Sequence, residues 1–479
     1  MSYYGYIVRV TEIRPHNNAD RLQIATFFGN DTVVDLSTKI GDSGIYFPSD
    51  GQLSVEFAEA NNLLRKKDEN GNNIGGYMDP DKRNVTAIKL RGEKSDGLFL
   101  PLSSLEAFGD ITTLREGDRI DVFNGHEICK KYIPRRQNRR GGVSSGNKTR
   151  KHKVPVAPLF SEHADTEQLA YNLGAFKAGD EIEITLKMHG TSQRTGYLPV
   201  LKGYKRTILD RLLRREGKPI YDWGYVSGTR RTVLEDFEGG YYGSNEFREA
   251  HSKFFEGKLN KGEEIFYEVV GFTHTGAPIM ASGDNKKLQD KEFVKQYGQT
   301  TVFSYNCEPD GLDNKTLWRE TYTDPYGERT FTDKKQSDIY VYRMTITNED
   351  GFTVEYTPDF MRYRCEQMGV KTVPVMWRGT IPYTVDDLES SIPGARIMMR
   401  DGENAGDWIK NVAEQYYDGP DPIGKTHIRE GVVVRIINRP KFAAFKHKNW
   451  FFKALSGIAV AQIEENESDN VSDDILSEM

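Results

Sequence analysis

The chain has 479 residues, enough for two or three domains. Hydrophobic residues make up 37% and charged residues 28%, with a net charge of −6, so a sizeable core is available and a uniformly basic nucleic-acid coat is disfavoured. Three scattered cysteines without a C-x-x-C pair argue against a disulfide framework or a zinc site, and no apolar run approaches the roughly 18 residues that span a bilayer, so a cytoplasmic protein with no membrane partner is expected.

Residues 1–125 read as a small β-rich module. Short apolar runs at Tyr6–Val10, Leu22–Phe27, Thr32–Val34 and Gly44–Phe47 alternate with Gly, Asn and Asp turns. Repeated short strands of this kind predict a compact OB-like β-barrel that binds nucleic acid. Residues 126–154 form a basic linker, with ten Lys/Arg and no acid between 130 and 153. Gly and Ser among dense positive charge suit both a flexible tether and a strap on phosphates. Residues 155–460 carry the main domain. The tail, 461–479, is acidic and expected to be disordered.

The stretch Glu181–Ser192 organises the main domain. Ile182, Ile184, Leu186 and Met188 alternate with Glu183, Thr185, Lys187 and His189. A period of two predicts a half-buried strand with Lys187 and His189 on one face. Gly190 follows, where a backbone can approach closely. Lys94-Ser-Asp-Gly97 is a competing lysine motif, but it follows a charged turn and lacks strand alternation, so Lys94 is expected to be a surface turn residue.

Downstream, residues 202–218 carry seven Lys/Arg around Ile208, Leu209, Leu212 and Leu213, and predict a short basic helix. Trp223–Thr232 reads as a strand ending in Arg230-Arg231, and Ile265–Gly271 as a strand holding Glu268. A polar excursion at 308–336 precedes a strand at Asp338–Ile346 with Tyr342, then a helix at Pro358–Gly369 with a glycine stop. Last come Glu430-Gly431 and Lys446-His-Lys448, whose two lysines share a strand face. His251, His274 and Cys307 have no metal-like spacing.

Taken in order, Lys187-Met-His189-Gly190, Glu268, Tyr342, Glu430-Gly431 and Lys446-His-Lys448 resemble the five collinear motifs of the RNA ligase 2 family. The segment from Tyr342 through Met376-Trp-Arg378-Gly379 is also similar to that family. Asn17–Leu22, Val85–Gly92 and Gly97–Leu102 resemble the N-terminal OB module of one of its subgroups. Lys-x-His-Gly distinguishes the family from DNA ligases and capping enzymes, which have Asp in place of His.

The resemblance implies an α+β fold in which an ATP-grasp-like nucleotidyltransferase domain of antiparallel sheets flanked by helices follows the OB-like barrel. It implies an ATP-dependent RNA ligase that seals 3′-hydroxyl and 5′-phosphate ends, in nicked or paired RNA, through a lysyl-AMP and an adenylylated 5′-phosphate. Lys187 takes AMP on this reading. His189 acts near the 5′-phosphate, and Lys446 and Lys448 neutralise phosphate charge. Gly190, Arg230 or Arg231, Glu268, Tyr342 and Glu430 line the nucleotide site, with Tyr342 stacking on adenine. Glu268 and Glu430 hold Mg²⁺ or Mn²⁺, partly through water.

A nucleophilic lysine must shed a proton that ordinarily leaves at about 10.4, and neighbouring cations make that easier. Two departures from the family stand out. Ser192 occupies a position where Asn is usual, and only a short segment follows Lys448, where many relatives carry a further domain. A capping guanylyltransferase, a DNA ligase, and a catalytically silent RNA-binding protein are the competing readings; a monomer is expected.

Overall fold

A computed structural model gives the fold of the protein. It describes residues 3–67, 73–132 and 154–271 except 161, 164–165, 214–216, 231, 236 and 238–244. It further describes 273, 279, 285–286, 295, 301–302, 337–383, 403–423, 428–455 and 459–460. Most of the basic linker, the excursion at 308–336, His274, Cys307 and the acidic tail lie outside the described residues. The chain divides into two compact units. One takes Met1–Gln137, Lys287–Thr300 and Trp450–Met479; the other takes Asn138–Lys286 and Thr301–Asn449.

The first unit forms strands where short apolar runs meet turn residues. Gly5–Arg9, Ser43–Phe47, Leu98–Pro101 and Arg119–Ile120 make one sheet, and Ile13–Pro15, Leu22–Phe27 and Asn30–Asp35 make another. Among the described residues these are separate small sheets with no closed barrel. Ile7, Ile45, Phe47, Leu53, Phe57, Leu100, Leu105 and Phe108 fill the core.

Lys94 is not a surface turn residue. It is half-buried on the short strand Glu93–Ser95, with Nζ 5.2 Å and 4.9 Å from the ring centres of Trp450 and Phe451. Both rings present a face that attracts an ammonium group. Two residues on, Asp96 pairs with Lys453 at 2.5 Å.

The second unit is built on two sheets. The first contains β1 (Glu181–Leu186), β6 (Val375–Thr380), β7 (Gly431–Ile436) and β8 (Ala443–Lys448), in the order Glu167–Gln168, β8, β7, β1, β6. The second contains β2 (Thr191–Lys205), β3 (Lys218–Gly228), β4 (Glu263–Gly271) and β5 (Ser337–Thr347), adjacent in the order β3, β2, β4, β5. The predicted alternation of β1 holds: Ile182 and Ile184 are fully buried and pack with Val432 and Val434 of β7 against Ile409 and Ala413 of α3 (Ala405–Glu414).

The core of the second sheet joins Ile265, Tyr267, Val269, Ile339 and Val341 to Phe247 of α1 (Glu246–Phe254) and to Met361, Cys365 and Met368 of α2 (Pro358–Met368). Thr357 caps α2 by accepting from the Phe360 N–H, and Gly369 ends it at φ 71°, the left-handed conformation that glycine adopts without penalty. The basic segment 202–218 links β2 to β3 and carries the predicted short helix: residues 202–205 end β2, Ile208–Leu212 are helical, and Lys218 begins β3. Its apolar residues Ile208, Leu209, Leu212 and Leu213 are exposed, since the turn is too short to bury a face.

Ile184→Ala is expected to cost about 2–5 kcal/mol of stability, the usual range for emptying a fully buried aliphatic site. Denaturant unfolding measures it, and a loss below about 1 kcal/mol would show that this face of β1 is loosely packed.

Candidate functional site

Beyond the exposed Glu181, the polar face of β1 turns into a cleft. Glu183, Thr185 and Lys187 line a cleft in the second unit, closed from other sides by residues of β4, β5, β7, β8 and α2. The empty space of the cleft, open solvent at its mouth included, is about 840 Å³. Charged groups stand at both its ends.

At one end Lys187 and Lys448 converge on Glu430. Lys187 Nζ lies 2.7 Å and Lys448 Nζ 3.1 Å from the same carboxylate oxygen, Oε1. His189 Nδ1 lies 3.6 Å from the other oxygen. Backbone contacts fix the cluster. The Lys187 N–H donates to the Gly431 carbonyl at 3.0 Å, and the Asn449 N–H donates to the Glu430 carbonyl at 2.9 Å. Gly431 sits at φ +139°, and a Cβ there would come within 2.0 Å of the His447 carbonyl oxygen. Only glycine lets β7 begin this close to β8.

Burial works against the Glu430 carboxylate, but Lys187 and Lys448, with His189, outweigh it and hold its pKa well below the ordinary range. Glu268 behaves in the opposite way. Burial pushes its carboxyl up to about 7; Lys187 pulls it back, and the Glu430 anion adds to the rise. Two carboxylates near one lysine therefore titrate far apart, a pattern typical of functional sites.

Gly190 permits a close approach of its own backbone to β4. A Cβ on it would stand 2.4 Å from the Val269 carbonyl oxygen and 2.8 Å from Glu268 Cγ. Ser192 shares a hydrogen bond of 2.8 Å with the Tyr342 hydroxyl. The Tyr342 ring lines the cleft with its centre 5.3 Å from the His163 ring. Arg248 of α1 donates to the Thr191 hydroxyl at 2.6 Å and to the Ser192 carbonyl at 3.2 Å, bracing the chain just after Gly190.

The structure thus brings Lys187, Glu268, Tyr342 and Arg230 to the cleft lining, and His189, Glu430 and Lys448 to the carboxylate cluster. Lys446 lies between Ala444 and Lys448 on β8, opposite Val433, a lining residue. Arg231 is outside the described residues. Sequence reasoning missed His163, Glu183, Arg362 and Arg435, all in the lining. Glu183 and Arg435 were findable, since period two places Glu183 with Lys187, and Arg435 with Val433. His163 lies in an irregular segment that offers no such signal.

Among the described residues no group of three or more His, Cys, Asp and Glu side chains forms a metal cluster. A pair of glutamates suits a hard cation that keeps several waters and takes phosphate oxygens, the habit of Mg²⁺. Cys129 and Cys365 are buried free thiols, each pushed up to about 12 chiefly by burial. His251 meets the Ser337 hydroxyl at 2.8 Å, away from the lining residues. No described helix is long and apolar enough to cross a membrane.

No protein-family model matches this chain, and no curated protein sequence does. In fold it is similar to the RNA ligase of Naegleria gruberi. The structure of that ligase with pyrophosphate superimposes with a TM-score of 0.51 at 17% identity, covering 94% of this chain and 97% of that one. A variant with ATP and Mn gives 0.52 at 17% identity, covering 96% and 99%. Another variant with ATP and Mn gives 0.53 at 16% identity, covering 95% and 99%. The shared feature at this identity is a sheet-rich α+β fold along nearly the whole chain.

Because the Glu268 carboxyl is raised from an ordinary 4.5 to about 7, the folded protein holds a proton there that the unfolded chain has released. Stability contributed by this group therefore falls as pH rises from about 4.5 to 7. Glu268→Gln is expected to match the parent's Tm below this window and to gain on it through the window. A Tm difference independent of pH would contradict the assigned environment.

Proposed function

We propose that this chain is an ATP-dependent RNA ligase. The observation that carries the reading is the Glu430 carboxylate held between Lys187, which lines the cleft, and Lys448, within a fold similar to that of an RNA ligase. Three motifs far apart in sequence meet there in the arrangement that transfer of a nucleotidyl group requires.

In the first step the Lys187 amine attacks the α-phosphorus of ATP, a P–N bond forms, and pyrophosphate leaves. The Lys187 ammonium must first give up its proton. Glu430 is too weak a base to keep it, so Glu430 orients the amine while the proton passes to solvent or phosphate. Lys448, Lys446 and Arg230 supply positive charge toward the phosphates. In the second step AMP moves from Lys187 to an RNA 5′-phosphate, with His189 beside the transfer. In the third a 3′-hydroxyl attacks that phosphate and AMP leaves. Glu268 and Glu430 would hold a divalent cation, Mg²⁺ or Mn²⁺, which when bound adds positive charge against the phosphates. The Tyr342 ring offers an aromatic wall to the base, its hydroxyl anchored by Ser192.

The working division is a nucleic-acid-holding module at 1–125, a basic linker at 126–154, a ligase domain at 155–460 and an acidic tail at 461–479. Barrel closure is not needed for the module's role, since short sheets with basic loops can hold a backbone. Basic residues at 130–153 and 202–218 supply sequence-independent affinity for RNA phosphates. We place the enzyme in the cytoplasm, acting in RNA repair as a monomer. The guanylyltransferase and DNA ligase readings have less support, because the solved structures similar in fold are RNA ligases. Retention of Lys187, both glutamates and Lys448 in one site speaks against a silent binding protein.

Incubation with α-labelled ATP and Mg²⁺ or Mn²⁺, then denaturing electrophoresis, tests the assignment. Labelled protein is expected from the parent and from Lys94→Ala, and none from Lys187→Ala. The label should transfer to a 5′-phosphorylated nicked duplex, whose sealing depends on a ribonucleotide at the 3′-hydroxyl end. Label retained in Lys187→Ala and lost in Lys94→Ala would overturn the reading.

A further inference from the structure

The end of the cleft away from Glu430 holds a second set of charges that nucleotidyl transfer does not use. Glu183 lies four residues before Lys187 on the same face of β1, roughly 13 Å along the strand. Its side chain is only 3% exposed, and one oxygen stands 2.8 Å from Arg362 of α2. Arg435 is directly opposite Glu183 in the β1–β7 register. Arg435 donates through Nη2 to the Tyr356 carbonyl at 3.2 Å, yet its Nε–H is buried with no hydrogen-bond partner among the described residues. Leaving such a donor unmatched is costly, and it marks a place where a bound acceptor would be welcome.

The geometry fits one moiety. With the phosphates at the Lys187 end, a nucleoside reaches the Glu183 end with its base. The Tyr342 ring and the aliphatic side chains of Val433 and Met361 also line the cleft. We propose that Glu183 and Arg435 select adenine, with the Glu183 carboxylate accepting from the 6-amino group and the Arg435 Nε–H donating to ring nitrogen N1. This rests on Lys187 being the AMP acceptor, and it adds which residues choose the nucleotide. Guanine offers a 6-oxygen where adenine has an amine, so the same orientation sets oxygen against carboxylate. Turning guanine to offer its N1–H and 2-amino group calls for both Glu183 oxygens, and one already faces Arg362.

The test uses the full chain and measures kcat/KM for lysyl-nucleotide formation with four triphosphates. ATP is compared with purine riboside triphosphate, which lacks the 6-amino group, with 1-deaza-ATP, which lacks N1, and with GTP. The parent is expected to favour ATP over the first two by about 10- to 100-fold, the scale of a hydrogen bond to a charged group. Glu183→Ala should bring the ATP to purine riboside ratio close to one, and Glu183→Gln, which keeps an acceptor and the side-chain shape, should retain part of it. Arg435→Met should abolish the preference for ATP over 1-deaza-ATP while the 6-amino preference persists.

A parent that uses ATP and purine riboside triphosphate equally overturns the proposal without any variant. So does Glu183→Ala that labels with an unchanged ratio, or Glu183→Gln that does so should the alanine variant fail to fold. Absence of labelling by any nucleotide in the parent would instead overturn the ligase reading beneath it.

Discussion

A buried carboxylate has to be matched, and Glu430 is matched by two lysines from opposite ends of the domain's sequence. Removing it would leave two ammonium groups facing each other in a partly dry cleft; removing either lysine would weaken the attraction that keeps it ionised. The surrounding backbone is arranged around this requirement. Gly431 admits β8 at close range, the Lys187 amide reaches the Gly431 carbonyl, and the Asn449 amide reaches the Glu430 carbonyl. Side-chain charge and main-chain hydrogen bonding thus specify the same geometry, so the cluster is placed by the sheet itself and not by mobile loops.

The two sheets divide the chemistry between them. The first presents the cations and the ionised Glu430, while the second presents Glu268 with its raised pKa and the Tyr342 ring. The first sheet packs on α3 and the second on α1 and α2, and α2 also lines the cleft through Met361 and Arg362. The facing surfaces are free to carry polar residues whose burial would otherwise be unfavourable.

Much of this was legible in the sequence because period-two strands keep their facing residues in register. The alternation at Ile182, Ile184 and Leu186 located β1 and aimed Lys187 correctly, and Pro358 with Gly369 bounded α2. Alternation says which residues share a face, but not what that face meets. Glu183 therefore reads as a solvated strand carboxylate, although Arg362 and Arg435 from elements far along the chain enclose it. The same blindness to long-range contact hid the packing of Lys94 on Trp450 and Phe451. In the segment 202–218 the expected short helix forms at Ile208–Leu212, while pairing between β2 and β3 claims only the two ends. Barrel closure in the N-terminal module is likewise a matter of strand pairing, which composition does not encode.

Central strand β1 pairs with β7 across a great length of chain; Thr185 and Val433, which meet in that ladder, are 248 positions apart. Loop-closure entropy opposes such a contact until the intervening elements have collapsed. The carboxylate and the lysine it orients come together only on that pairing. A partly unfolded chain therefore lacks the paired carboxylate and lysine, so the cluster doubles as a report that the first sheet has closed.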